Sequence, residues 1–209
     1  MPNHVTNKLV ITGSDEQIND FVSKVNVKTE DGDDGFDFNS LIPTPAELKD
    51  TTAPSTVVPD DQYASLVAEG TPLHGKISQS RADHLIKTYG STNWYDWCVA
   101  NWGTKWGAYD VNDWNVCENE AVVIFNTAWS PPTEFLINAS KLYPHLQFKN
   151  TYCDEGGGFL GWDIISDGEK VDEAVYDYND IVDGDDEPLA ILEELGMEYL
   201  AEMEEEEKD

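Results

Sequence analysis

Residues 4–12, His4-Val5-Thr6-Asn7-Lys8-Leu9-Val10-Ile11-Thr12, are rich in β-branched side chains and predict a strand. Gly13-Ser14-Asp15-Glu16-Gln17 then supplies a helix start, with Ser14 as N-cap and Gln17 completing a capping box. Ile18, Phe21, Val22 and Val25 follow at the spacing of one apolar helix face. A Gly/Asp loop from Glu30 to Gly35 breaks the pattern, and Phe36–Pro45 reads as a short extended piece ended by its prolines. Residues 49–77 are rich in Pro, Thr and Ser, with one short helix expected over 62–69. A longer helical region over 78–101 turns Ala82, Leu85, Ile86, Tyr89, Tyr95, Cys98 and Val99 inward, and Gly90 can divide it.

The period changes after Tyr109. Residues 109–117 and 121–128 read as two strands joined by Glu118-Asn119-Glu120, a hairpin. In Ser130-Pro131-Pro132-Thr133-Glu134, Ser130 is the expected N-cap and Pro131 the first helical residue. Phe135, Leu136, Ala139 and Leu142 form that helix's apolar face, and Pro144 ends it. Residues 145–153 and 159–165 are two further strands joined by Asp154-Glu155-Gly156-Gly157-Gly158. The order β–α–(insertion)–β–β–α–β–β predicts an α+β fold, a ferredoxin-like α/β sandwich (βαββαβ plus an extra strand). It covers residues 1–166, with a large, mainly helical insertion at about 30–105. An acidic, partly helical C-terminal segment, 167–209, follows.

Charge changes the picture. The chain has 12 Lys+Arg against 42 Asp+Glu, a formal charge of −30, and residues 167–209 hold 19 of those acids against two lysines. Such a surface repels nucleic acid and anionic membranes and favours basic partners, cations, or proteins built to grip phosphate. Solubility or adaptation to high salt accounts for the same charge equally well. Most of the 167–209 segment reads as solvated, although Pro188–Leu195 and Met197–Met203 have helical spacing. The three cysteines, Cys98, Cys117 and Cys153, contain no CxxC pair, which fits a reducing cytoplasm; Cys98 and Cys117 read as small buried hydrophobes. No signal-peptide core and no bilayer-length apolar run is visible, so a cytoplasmic location is expected.

Candidate chemistry concentrates in the aromatics. Trp94, Trp97, Trp102, Trp106 and Trp114 crowd into one stretch of a chain with seven tryptophans. Tryptophan buries much apolar area yet carries an N–H that needs a partner, so the stretch is either core or recognition surface. Trp102 and Trp106 with Lys105 would suit stacking of a ring; Trp102, Trp106, Trp129 and Tyr152 make a candidate aromatic pocket for a small ligand or substrate. The four histidines share no ligand spacing with one another or with cysteine, so neither a zinc site nor any cofactor is expected. The acidic runs at 31–37 and 183–187 lack the ligand alternation of an EF-hand. Asp154-Glu155-Gly156-Gly157-Gly158 joins strands and lacks the Gly-Lys-Ser/Thr element of a phosphate loop. No nucleophile–His–Asp or HExxH arrangement is evident.

Asn101-Trp102-Gly103-Thr104-Lys105-Trp106, Thr127-Ala128-Trp129-Ser130-Pro131-Pro132 and Tyr152-Cys153-Asp154-Glu155-Gly156-Gly157-Gly158-Phe159-Leu160-Gly161, together with the opening Met1–Asn7, resemble the YubB-like proteins of plasmids and bacteriophages. The resemblance spans most of residues 1–165 and implies a ferredoxin-like C-terminal domain and a mobile-element context, with no catalytic residues to carry over. An iron–sulfur cluster is not implied, since three scattered cysteines cannot supply four ligands. The long acidic tail departs from that family's pattern. The function expected is a non-enzymatic interaction protein that binds a basic host or defence protein, itself nucleic-acid-binding, with carboxylates imitating phosphates. The candidate contacts are Asp183, Asp185, Asp186, Glu193, Glu194, Glu204, Glu205, Glu206 and Glu207. The rival expectation is an enzyme or small-ligand binder using the aromatic pocket.

Overall fold

The computed structural model describes residues 3–30, 32–112, 114–182 and 186–201. The chain opens with β1 (His4–Thr12) and α1 (Asp15–Val25). Next come α2 (Ala46–Lys49), β2 (Thr56–Val58), α3 (Asp60–Ala68), β3 (Lys76–Ser78), α4 (Gln79–Tyr89) and α5 (Trp94–Trp102). The remainder is β4 (Asn115–Cys117), β5 (Glu120–Ala128), α6 (Thr133–Leu142), β6 (Gln147–Asp154), β7 (Phe159–Ser166), β8 (Glu169–Asp177), α7 (Tyr178–Val182) and α8 (Asp186–Leu195). The chain divides into two compact units, Pro43–Asn101 and the residues on either side of it.

The outer unit is built on a six-stranded sheet of order β4-β5-β1-β6-β7-β8, in which every pairing is antiparallel. Its β1-α1-β4-β5-α6-β6 portion has the βαββαβ order of a ferredoxin-like fold, with β1 between β5 and β6. The alternation of β1 sends Val5, Leu9 and Ile11 inward. On that face Phe125 of β5 and Phe148 of β6 meet rings from outside the sheet: Phe21 of α1 lies 5.4 Å from Phe148, and Phe36 lies 4.9 Å from Phe125. Phe38 stacks on Phe135 of α6 at 4.1 Å. The Phe36-Asp37-Phe38 piece thus supplies two core aromatics.

The opposite face carries a second core. Cys153 and Leu160 there pack with Ile181 of α7, Ile191 and Leu192 of α8, and Met197 and Leu200 beyond it. Buried on both sides, β6 reads Thr151-Tyr152-Cys153-Asp154 without a solvent-facing break. Segment 167–209, expected to be mostly solvated, opens with β8 and continues into packed helices. The many acids around Val171, Val175 and Tyr176 mask their strand spacing in the sequence.

Pro43–Asn101 holds a two-stranded parallel β2–β3 ladder and helices α2, α3, α4 and most of α5. Ser78 caps α4 by accepting from Arg81 N–H, and Gly90 ends it at φ +76°, the left-handed conformation that glycine tolerates best. Leu48, Val58, Ala82, Leu85, Trp97 and Cys98 are its buried apolar residues.

Several local expectations are corrected. Ser14 precedes α1, but its hydroxyl donates to Gln17 Oε1 at 3.3 Å, and no side-chain cap to backbone forms. α6 starts at Thr133, after Pro132, because Ser130 Oγ is taken up by Gly103 C=O at 2.5 Å. Leu142, Ile86 and Val99 face solvent. Cys117 is exposed, since β4 is a three-residue edge strand with no cover. Of the expected strand 109–117, only Asn115–Cys117 forms; before it Tyr109 makes one isolated bridge to Asn126.

Candidate functional site

β-sheet register brings the distinctive sequence motifs to one end of the sheet. His4 at the start of β1 pairs with Ala128 at the end of β5, and Val5 pairs with Asp154 at the end of β6. Cys153 pairs with Leu160 near the start of β7. The opening residues, TAWSPP and YCDEGGGFLG therefore meet, and hydrogen bonds tie them together. Trp129 N–H donates to Asn3 C=O at 3.0 Å and Glu155 N–H to His4 C=O at 2.9 Å. Asn3 Nδ2 donates to Asp154 Oδ1 at 3.3 Å, while Asp154 Oδ2 accepts from the N–H groups of Gly156 and Gly158. Those two glycines wrap a carboxylate of their own chain, which explains the Gly-rich turn without any phosphate.

The NWGTKW segment joins the same end. Gly103 sits at φ +80°, with Pro131 C=O and Thr133 N so near that a Cβ would approach both to 3.2–3.3 Å. Buried Thr104 places its Oγ1 3.1 Å from Ala128 C=O and 3.3 Å from Trp106 C=O. These contacts present Trp106 and Trp129 outward, 36% and 44% exposed. Lys105 Nζ lies 4.5 Å from each ring centroid, held between two indoles. Trp129 itself adopts φ +72°, a conformation uncommon for a non-glycine residue. At the same end of the sheet, the Tyr109 hydroxyl is 2.7 Å from His4 Nδ1 and donates to Thr127 C=O at 3.2 Å.

The four residues of the expected aromatic pocket are separated by this arrangement. Trp102 and Tyr152 are only 3% and 4% exposed, so neither offers a ring face to a ligand. Trp102 Nε1 donates to Ile42 C=O at 3.0 Å, and its ring meets Phe38 at 5.7 Å. Tyr152 stands opposite Gly161, where a side chain would run into Ala174 C=O, and burial pushes its phenol upward in pKa, with Asp163 and Glu173 adding to the shift. Trp106 and Trp129 alone are displayed.

A row of buried polar groups crosses the sheet beneath, and this was missed in the sequence. Asn7 Nδ2 donates to Thr127 Oγ1 at 2.9 Å, and Asn150 Nδ2 to Asn7 Oδ1 at 3.1 Å. Fully buried Asp163 accepts from Thr133 Oγ1 at 2.6 Å. Its other oxygen lies 3.0 Å from Lys170 Nζ, at ion-pair distance but outside hydrogen-bond geometry. Asn7 takes an inward place in the alternation of β1, and that irregularity was the available signal.

The acidic residues divide by where their carboxylates point. Glu194 of α8 turns to the sheet, 3.3 Å from Lys8 Nζ, 3.8 Å from Lys149 Nζ and 3.3 Å from Thr151 Oγ1. Glu187 accepts from Trp162 Nε1 at 3.1 Å, and hydrogen bonds from Tyr176 and then Trp162 hold its carboxyl below the usual range. Asp186 and Glu193 face solvent. Asp183, Asp185 and Glu204 to Glu207 lie outside the described residues. Strand β8 adds acids that sequence reasoning did not single out: exposed Glu169, Asp172, Glu173 and Asp177 on the last strand of the sheet. In the first acidic loop, Asp34 is engaged by Lys28, Asn26 Nδ2 and Trp114 N–H.

The thiols of Cys98 and Cys153 are pushed up to about 11 and about 12 by burial, which makes them inert at neutral pH. Among the described residues, no group of three or more His, Cys, Asp or Glu is placed to hold a metal ion. No helix among them is long and apolar enough to cross a membrane.

Residues 101–204 match the sequence model of a family described as the ferredoxin-like domain in Api92-like protein. A crystal structure of protein api92 from Yersinia pseudotuberculosis is similar at 12% identity and a TM-score of 0.47, covering 84% of this chain and 98% of that one. No curated protein matches the chain in sequence.

Proposed function

We propose that this chain, which carries the ferredoxin-like domain of Api92-like proteins over residues 101–204, is a non-enzymatic binding protein whose acidic surface engages a positively charged partner. The observation that carries this reading is β8. It is the last strand of the sheet, nine residues long, with no described strand on its outer side. Glu169, Asp172, Glu173 and Asp177 line it, and Val171 and Val175 are 57% and 60% exposed. An unpaired edge offers backbone N–H and C=O groups to an added strand. Like charges on two copies of this edge repel each other, so the partner that fits is a basic extended segment. Asp186 and Glu193 on α8 extend the negative field, whereas Glu194 and Glu187 serve to dock that helix.

The resemblance to YubB-like proteins of plasmids and phages supports a partner in the host cell, a defence or nucleic-acid-binding protein whose phosphate-gripping face the carboxylates occupy. Electrostatic steering by a chain of −30 favours such an encounter. The test is capture of a host nucleic-acid-binding protein on the immobilised chain, with DNA as competitor and rising salt. Binding should weaken with salt, yield to DNA, and be lost in the Asp172→Lys/Glu173→Lys/Asp177→Lys variant. Binding indifferent to both salt and the triple reversal would overturn the proposal. Of the four rings of the pocket-based rival, Trp102 and Tyr152 are interior.

A further inference from the structure

We infer that Trp106 and Trp129 form a receptor for one cationic side chain, a lysine ammonium or arginine guanidinium on the partner, and that Lys105 is its resident occupant. This rests on the reading of a basic partner for the source of the cation, but on a different part of the molecule from β8.

The first ground is where Lys105 places its charge. The chain carries 42 acids against 12 basic residues, so carboxylate partners are abundant. Most other lysines with described partners use them: Lys8 and Lys149 pair with Glu194, Lys24 with Asp20, Lys28 with Asp34, and Lys170 with Asp163 and Glu173, while Lys141 bonds to the Asn138 amide. Among the described residues no carboxylate lies within ion-pair distance of Lys105, whose ammonium instead rests 4.5 Å from two indole centroids. Two aromatic rings within cation–π range of one charge are the arrangement by which aromatic cages bind ammonium groups. The occupant already shows the site's chemistry.

The second ground is that the rings are displayed at a conformational cost. Trp129 is the residue immediately after β5, held at φ +72° with its indole 44% exposed. A side chain required only for packing would not need a left-handed backbone and an exposed ring together. Outliers of this kind gather at binding sites. The third is rigidity: Trp129 N–H is fixed to Asn3 C=O, Thr104 Oγ1 bridges toward Trp106 and Ala128, and Ser130 Oγ is fixed to Gly103 C=O. The walls are set before any ligand arrives, which lowers the entropy lost on binding.

The occupant is also replaceable. Cation–π contacts at exposed positions are weak, and a displaced lysine ammonium recovers full hydration. An arginine is less strongly hydrated and stacks its planar group on an indole, so a partner's arginine competes well for the same space.

The test uses the full chain and the probe acetyl-Gly-Arg-Gly-amide, followed by NMR of the seven indole N–H signals. Lys105→Met empties the clamp while keeping the length of the stem. The expected result is that the signals of Trp106 and Trp129 move on titration, with about threefold tighter binding in Lys105→Met than in the parent. Adding Trp106→Leu or Trp129→Leu to Lys105→Met should abolish the response, and the citrulline analogue of the probe should give none. Equal affinity in parent and Lys105→Met, or a response that survives loss of either ring, would overturn the inference. The β8 triple reversal separates the two proposals. It removes partner capture if the acidic-edge reading holds and leaves the tripeptide titration unchanged; a clamp that fails while capture persists refutes the clamp alone.

Discussion

Trp102 and Trp106 stand four residues apart in one motif and have opposite roles. Trp102 is enclosed, its N–H given to Ile42 C=O and its ring set edge-on to Phe38. Trp106 lies at the surface with its face against Lys105, opposite Trp129. The interior cluster of Phe36, Phe38, Phe125 and Phe135 is held by ring-to-ring contacts. The surface clamp has two rings and one charge. Aromatic density in sequence does not distinguish the two cases. What distinguishes them is the Gly103–Thr104 turn, whose backbone and hydroxyl contacts rotate the chain out of the core between the two tryptophans.

The strongest way to break the comparison is at the centre of the interior cluster. Phe135→Ala removes the ring that stacks on Phe38 at 4.1 Å and meets Phe36 at 5.6 Å. It should lower unfolding stability by about 3–5 kcal/mol in urea or thermal melts, since the neighbouring rings are held by the 36–38 segment and, through Phe125, by the sheet, and cannot all collapse into the space. A loss below about 1 kcal/mol would mean that the cluster is loosely packed and the contrast false. Next in size, Trp102→Phe keeps a ring but orphans Ile42 C=O, and a loss of roughly 1–3 kcal/mol is expected.

Much of the fold was legible because it rests on local pattern. The alternation of β1, the 3.6-residue face Ile18-Phe21-Val22-Val25 and the β5 run each appear as expected, with all four α1 residues buried. Two kinds of feature were hidden. Strand β8 is obscured in the sequence because an edge strand facing solvent keeps its acids, and their charge hides its spacing. The clamp was half visible: Trp106, Trp129 and Lys105 were all singled out, yet grouped with Trp102 and Tyr152, since nothing in linear spacing reveals that register brings Ala128 beside His4 while Tyr152 is covered. The split of acids between Glu194 facing Lys8 and Glu193 facing solvent is likewise a matter of helix phase after docking, which requires the sheet to be present.

A smaller effect sharpens the surface side of the comparison. At φ +72° Trp129 occupies a position suited to glycine. Trp129→Ala and Trp129→Gly both delete half the clamp, but only glycine relieves the backbone. Stability should therefore be higher in Trp129→Gly than in Trp129→Ala by roughly 1 kcal/mol, the reverse of the order found in helices and strands. An alanine variant as stable as the glycine one would show that no strain is held there and would weaken the case that the ring is displayed at a cost. The same pair of variants tested at Phe135 gives the opposite ranking, because there the helix backbone prefers alanine.

Trp114 lies between the two cases, and its boundary position is tied to an acid. Its indole N–H donates to Gly35 C=O at 3.0 Å, its ring meets Phe36 at 5.2 Å, and its backbone N–H donates to Asp34 Oδ2 at 3.1 Å. The Lys28 ammonium first, then Asn26 Nδ2 and that Trp114 N–H, hold the Asp34 carboxyl down at about 2, against an ordinary 3.8. A depressed carboxyl contributes stability that is present above its unfolded value and is lost as pH falls through the folded one. The stability gap between the parent and Asp34→Asn should therefore be constant above about pH 4, shrink between about pH 4 and pH 2, and be absent below. Urea midpoints at several pH values measure it, and a gap unchanged from pH 5 to pH 2 would contradict the assignment. Salt sharpens the point further. Lys28 is largely solvent-facing, so its share of the gap should fall at high ionic strength, whereas the share from Asn26 and the Trp114 N–H persists because those bonds carry no counter-charge to screen.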